Sequence, residues 1–258
     1  MIFCGETGFK DKYKKWYEAS AKRFSTRMYF DKAVEEKDKN KIIKLCNDIN
    51  ALGEGIRLVP VFSSEKDMFT SFGFTQLKNV PAFVAIFTDG KKGAFEKAGF
   101  YGEALCLEIT AMNIKSCWVS GSIKKKNLGD YIEPVKGEKF LTSIALGYGL
   151  DLNEAQVNDR RKRKPFEKIF EAENADNKVV KVVECAWNAP SAINRQPWKY
   201  EYKEDTLYVK NPIIKGGPYP AELDIGISML HVSAAAKALG YDGEWERSKG
   251  NFGAFKLI

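Results

Sequence analysis

Two long apolar segments, Gly102 to Trp118 and Gly226 to Tyr241, constrain this chain more than any other feature. Each opens on a glycine, continues as a helix and ends in a short strand. Ala104, Leu105, Ile109 and Met112 mark the buried stripe of the first, and Ile225, Met229, Leu230, Val232 and Ala236 that of the second. A helix that is apolar on most sides cannot face water, so both are expected at the centre of the molecule. No stretch approaches the roughly 18 apolar residues of a membrane span. At 258 residues and 44% hydrophobic content, the chain can bury one large core or two small ones. Met1 to Trp16 does not read as a signal peptide, because Lys10, Lys12, Lys14 and Lys15 interrupt it. A cytoplasmic protein is expected.

The recurrence extends beyond these two segments. A helix over Asp38–Asn50 leads through 51–57 into an apolar strand at Leu58–Phe62. A helix over Val179–Asn188, with Val179, Val182, Val183 and Ala186 at helical spacing, leads through Ala189-Pro190-Ser191 into the strand Trp198–Tyr202. Sequence identity between the halves is slight, so the repeat rests on pattern and order. It divides the chain into a first half, 1–172, and a shorter second half, 173–258. Further strands are expected at Pro81–Phe87, Ser116–Val119, Leu141–Tyr148, Thr206–Lys210 and Gly253–Leu257, with a helix over Tyr13–Ala21. Leu150–Asp159 reads as a polar linker. Together these elements give an α+β fold of mixed and antiparallel sheet with central helices.

Charge and cysteine usage exclude several function classes. The net charge of +7 comes largely from blocks such as Lys124–Lys126 and Arg160–Lys164. No RNP-type aromatic motif, zinc-finger spacing or helix-turn-helix accompanies them, so nucleic acid is not the expected partner. Five cysteines, odd in number and without C-x-x-C spacing, read as reduced core thiols and exclude an iron–sulfur cluster. With a single histidine, His231, a metal site is not expected. Inside the second apolar helix, His231 reads as a satisfied core or interface residue.

Two motifs carry chemistry. Arg23-Phe24-Ser25-Thr26-Arg27-Met28-Tyr29 sets two guanidiniums around a hydroxyl at spacings of two. Planar guanidinium forks and a short hydroxyl donor suit phosphate. Pro190-Ser191-Ala192-Ile193-Asn194-Arg195-Gln196-Pro197-Trp198 forms a helix-to-strand loop with a turn-forming Pro and several free donors. Such a loop can wrap a flat polar heterocycle. Either stretch alone also fits an ordinary basic turn or loop.

Together they resemble the FMN-dependent nitroreductase family, with its R-x-S-x-R-x-F segment and P-S-x-x-N-x-Q-P-W loop. The resemblance implies that Arg23 and Ser25 grip the FMN phosphate and ribityl end, with Arg27 nearer the pyrimidine edge. Pro190, Ser191, Asn194 and Gln196 would cover the ring from the other half. Arg161 and Arg163 match a basic pair that approaches the phosphate, and read equally as a solvated charge run. Ser120 and Gly121 fall where such enzymes offer backbone N–H groups to flavin N5, or form a plain strand-ending turn. Lys78 sits where a cation near O2 can lie.

Members are usually homodimers with flavin at the subunit interface. Here the first-half loop Leu52-Gly53-Glu54-Gly55 lacks the Pro-Ser and amide residues, and the second half lacks its own R-x-S-x-R. The resemblance therefore implies a single-chain pseudo-dimer, monomeric, with one surviving FMN site. It also implies an NAD(P)H oxidoreductase moving hydride to flavin N5 and on to a nitroaromatic, quinone or similar acceptor. No side-chain acid, base or nucleophile is required, and no catalytic residue is assigned. A relative that binds FMN without reducing anything, for storage or sensing, is the alternative.

Overall fold

The computed structural model describes residues 2–3, 6–62, 68–69, 76–210 and 220–258. Six helices and nine strands are described. In the first half they are α1 (Tyr13–Lys22), α2 (Glu36–Asn50), β1 (Ile56–Val61), β2 (Ala82–Thr88), α3 (Ala94–Ala111), β3 (Lys115–Val119) and β4 (Lys139–Gly147). A connecting stretch carries α4 (Glu154–Arg160) and β5 (Phe170–Ala172). Then come α5 (Asn177–Trp187), β6 (Lys199–Lys203), β7 (Thr206–Lys210), α6 (Ala221–Ala238), β8 (Trp245–Glu246) and β9 (Gly253–Lys256).

Both sheets follow one plan. The first has strand order β1-β2-β4-β3; the second repeats it as β6-β7-β9-β8 and adds β5 beside β6. All pairs are antiparallel except β5 with β6. In each half the long apolar helix, α3 or α6, follows the second strand. β2 is buried on both faces: Val84 and Ile86 join the main core, while Phe83 and Ala85 pack with Val61, Ile123 and Leu128. That two-sided burial explains its unbroken apolar run. One main core runs through both halves, joining Trp16, Phe100, Leu105, Val182, Trp198, Leu230 and Trp245.

α3 and α6 cross at the centre, and their glycines determine how closely. A Cβ at Gly99 would lie 2.0 Å from the Leu223 carbonyl oxygen, and one at Gly226 would lie 2.0 Å from that of Glu96. The two helices have the same length, 18 residues each, and these glycines hold the same place in them. The sequence pairing of Gly102 with Gly226 as helix-opening residues is therefore corrected. Gly99 is the counterpart of Gly226, and both mark a backbone crossing rather than a helix start. Gly102 makes room instead for the Trp118 ring.

The expected linker 150–159 is also corrected, since α4 occupies most of it. Asn153 and Gln156 form a capping box, each side chain bonding the other's backbone N–H. Two otherwise unpaired donors are thereby satisfied. Val157, fully buried, holds the short helix in the fold. Cys46, Cys106, Cys117 and Cys185 are buried free thiols, as expected of core residues; Cys4 lies outside the described residues. No helix among the described residues is long and apolar enough to cross a membrane.

Gly226→Ala drives a methyl into backbone that no rotamer change can move aside. It should cost about 3 kcal/mol, the upper end of overpacking, as a lower denaturation midpoint in urea. Gly240→Ala is the contrast: φ is +97° there, but nothing lies within 4 Å. Its penalty is conformational strain alone, about 1–2 kcal/mol.

Candidate functional site

The R-x-S-x-R segment is extended and gripped from both sides. Thr26 N–H donates to the Ser116 carbonyl at the start of β3 (2.9 Å), and Lys78 N–H donates to the Arg27 carbonyl (2.9 Å). Tyr29 N–H returns a bond to the Lys78 carbonyl (3.1 Å). Alternation along this extended stretch brings Arg23, Ser25 and Arg27 to the wall of one cavity of about 570 Å3. The other walls come from Ser120 and Gly121 after β3, from residues 160–163, from Pro190–Asn194, and from the first turns of α6. Residues from both halves thus enclose a single space. Lys78 stands outside that wall, and its backbone holds the motif in place.

The wall is strongly cationic. Arg23, Arg27, Arg160, Arg161, Lys162 and Arg163 line it against one carboxylate, Asp224. Arg23 is only 3% exposed, its Nη1 has no hydrogen-bond partner, and its Nε stands 3.5 Å from Glu103 Oε1. Burial, and then the neighbouring Arg23 charge, lower Arg163 to about 10. It still carries its proton at neutral pH. Crowded, partly buried guanidiniums of this kind are stabilised by an anion.

Each arginine of the 160–163 run has a distinct anchor. Arg161 Nη2 donates to the carbonyls of Ser20 (2.7 Å), Ala21 (3.2 Å) and Arg23 (2.6 Å), capping the C-terminal end of α1. Those carbonyls are the ones a helix leaves unpaired, and a cation there also suits the helix dipole. Arg163 reaches across to the second half, donating to Asn194 Oδ1 (2.8 Å) and the Asn188 carbonyl (2.9 Å). Arg160 lies over the Phe24 ring at 5.7 Å.

The Pro-Ser loop is held in costly backbone. Ile193, Asn194 and Gln196 have φ of +46°, +58° and +48°. For a β-branched residue such as Ile this is strained. Surrounding bonds fix it: Gln196 N–H donates to Ser191 Oγ (2.9 Å), Asn194 Nδ2 to the Lys162 carbonyl (2.6 Å), and Ala192 N–H to Asp224 Oδ1 (2.9 Å). Arg195 donates to the second Asp224 oxygen at 3.1 Å. Pro190, Ser191 and Asn194 line the cavity, whereas Gln196 does not. Its buried amide accepts from Lys164 N–H (2.9 Å) and donates to the Asn194 carbonyl (3.2 Å), so it braces the loop from behind.

Sequence reasoning missed the carboxylate beneath the site. Glu103 of α3 is fully buried and meets Arg23, Trp118 Nε1 (2.8 Å) and His231 Nε2 (3.0 Å). Burial pushes its carboxyl up, but the His231, Arg23 and Trp118 contacts outweigh this and hold it below the usual range. Burial also lowers His231, against the raising effect of Glu103. An ionised carboxylate only accepts, so neutral His231 carries its proton on Nε2. Its bare Nδ1 then faces the Cys185 thiol at 3.7 Å. The available signal was an acid in the middle of a long apolar helix, with Phe100, Tyr101, Ala104 and Leu105 about it. Asp224, an acid at the head of the other such helix, carried the same signal.

Comparison with known proteins identifies the family. The family described as "Putative TM nitroreductase" matches residues 15–236, and the chain belongs to that family. A putative nitroreductase from Thermotoga maritima shares the fold at TM-score 0.63 and 21% identity, covering 94% of this chain and 93% of its own. A nitroreductase family protein from Streptococcus pneumoniae is similar at TM-score 0.47 and 19% identity, covering 60% and 98%. For a nitroreductase with bound FMN from Desulfitobacterium hafniense the values are 0.45, 13%, 58% and 98%. No curated protein matches the sequence.

Burial raises Asp224 from the usual carboxylate value to about 6, against the opposing bonds from Ala192 and Arg195. A carboxyl raised in the folded state favours folding when protonated. That contribution is complete below about pH 4, the unfolded value, and is lost as pH rises through about 6. Asp224→Asn should abolish this component. Plotted from pH 4 to 7, the wild-type denaturation midpoint minus that of the variant should fall with pH; a flat difference would contradict the assignment.

Proposed function

We propose that this protein is an FMN-dependent NAD(P)H oxidoreductase of nitroreductase type, working as a monomeric internal pseudo-dimer with one flavin. The observation that carries the reading is the cluster of Arg23, Arg161 and Arg163 in a cavity walled by both halves, with buried Arg23 Nη1 lacking a partner. A phosphate monoester, close to dianionic at neutral pH, fits that donor set. Bound FMN would supply the capacity to take hydride from NAD(P)H and pass electrons to a nitroaromatic, quinone or similar acceptor.

In this reading Arg23, Ser25 and Arg163 hold the phosphate. Arg161 acts through α1, fixing the helix end from which Arg23 projects. Arg27 lies where a cation can offset negative charge on the pyrimidine edge. Ser120 and Gly121 stand at the N5 side, with the Ser120 hydroxyl kept in place by Thr142 at 2.8 Å. Pro190, Ser191 and Asn194 cover the ring and limit water. No side chain has to accept a proton for electrons to move.

The single-site reading draws on the corresponding place in the first half. Lys97 occupies the position on α3 that Asp224 holds on α6. It pairs with buried Glu54 at 2.5 Å, while Tyr101 donates to the same carboxylate at 3.1 Å. Phe3 stacks on Phe100 beside them, with ring centroids 3.9 Å apart. A carboxylate and packed aromatic rings there oppose a second anionic cofactor.

The protein should purify with close to one FMN per chain and bleach anaerobically with NAD(P)H. Flavin that stays oxidised would favour a binding-only role, and failure to take up added FMN would refute the assignment. Arg163→Ala should weaken FMN binding by about 1.5–3 kcal/mol, roughly ten- to a hundredfold in Kd by flavin fluorescence titration. Lys44→Ala, on the exposed face of α2, should leave it unchanged.

A further inference from the structure

Phe24 lies between two hollows. One side belongs to the cavity described above. The other belongs to a second hollow of about 280 Å3, lined by Lys22, Thr26, Asn113, Ile114 and Leu150 among others. Nothing in the proposed flavin site uses this second space. Its walls combine apolar surface from Leu150 and Leu152 with polar groups from Thr26, Asn113 and the Lys115–Asp151 pair, a mixture that suits a purine nucleoside.

The cations on the flavin side of Phe24 exceed what one phosphate needs, and Lys22 adds another on the side of the second hollow. Arg23, Arg161 and Arg163 form the inner group. Lys22, Arg160 and Lys162 form an outer group, all exposed, and no ion-pair partner for any of the three is found among the described residues. Arg160 is not a loose surface charge, because its guanidinium rests over Phe24 at 5.7 Å. Held near the ring face, the exposed guanidinium keeps N–H donors that a phosphate can meet.

We propose that the second hollow receives the adenosine end of the dinucleotide reductant, and that Arg160 and Lys22 bind its 2′-phosphate, so that NADPH is preferred over NADH. The inference rests on the reductase reading for the identity of the ligand. A nicotinamide reaching the flavin cavity must lead its pyrophosphate and adenosine outward, and Phe24, with Arg160 over its ring on the cavity side, is the side chain that lines both spaces. A 2′-phosphate adds nearly two negative charges at that point, which NADH lacks.

The test is calorimetric titration of the flavin-loaded protein with 2′,5′-ADP and with 5′-AMP, neither of which carries a reducible ring. At low salt 2′,5′-ADP should bind about tenfold more tightly or better. Arg160→Ala and Lys22→Ala should each erase most of that ratio, and Arg160→Lys should restore part of it. Leu150→Trp, which fills the hollow, should weaken both nucleotides. Equal affinities in the wild type, or a ratio unchanged in both alanine variants, would overturn the proposal. Failure of the flavin reading shows separately, as a protein without visible flavin absorbance. The nucleotide ratio can still be measured in that case, because neither probe needs the flavin.

Discussion

Everything around the cavity depends on one buried carboxylate. Glu103 sits in the middle of α3 with no exposed surface, and it gathers donors from three other parts of the chain: Arg23 after α1, Trp118 of β3 and His231 of α6. A guanidinium as buried as that of Arg23 would be costly without an opposite charge. The carboxylate would be equally costly without its donors. Each therefore makes the other tolerable, and the pair fixes where α1 ends relative to the central helices. The Arg161 cap on α1 and the Arg163 bridge to the Pro-Ser loop are arranged about that fixed point.

This hub also changes what Arg23 can contribute. Part of its charge is already balanced by Glu103, so its role is to aim donors. Much of the positive potential in the cavity must come from Arg161, Arg163 and the outer cations. Burial keeps the hub dry, and a low-dielectric surrounding strengthens each of these interactions.

The sequence made most of the elements legible because their signals are local. The β2 run at Pro81–Phe87 and the alternating strand after Trp198 follow from periodicity alone, within a residue of their observed ends. The two apolar helices are legible as buried helices, but α3 begins eight residues before Gly102 and α6 five before Gly226. The features that were not legible depend on partners distant in sequence. α4 was hidden because 150–159 has the composition of a loop, and its helix depends on a capping box and one buried valine. The glycine pairing was misaligned because only the crossing of α3 with α6 shows that Gly99, and not Gly102, meets the opposing backbone. Motif spacing grouped Gln196 with Pro190 and Ser191, but a left-handed backbone turns its amide behind the loop. Arg161 and Arg163 could be read as a solvated run until their carbonyl and amide acceptors were located. Ten of the twelve residues that the sequence places near the flavin do line one cavity; Lys78 and Gln196 are the exceptions.

β5 has a consequence of a different kind. It continues the first half of the chain yet lies parallel to β6 at the edge of the second sheet. The halves are thus stitched through a sheet as well as joined end to end. In an assembly of separate subunits, a site at the interface vanishes on dilution as the partners part. Here the two walls of the cavity meet by an intramolecular step whose effective concentration is set by the connecting chain. The site therefore persists however scarce the protein becomes. In the first half the loop at the corresponding place in chain order is instead closed by the Glu54–Lys97 pair, so the two ends of the central helix pair carry opposite local chemistry.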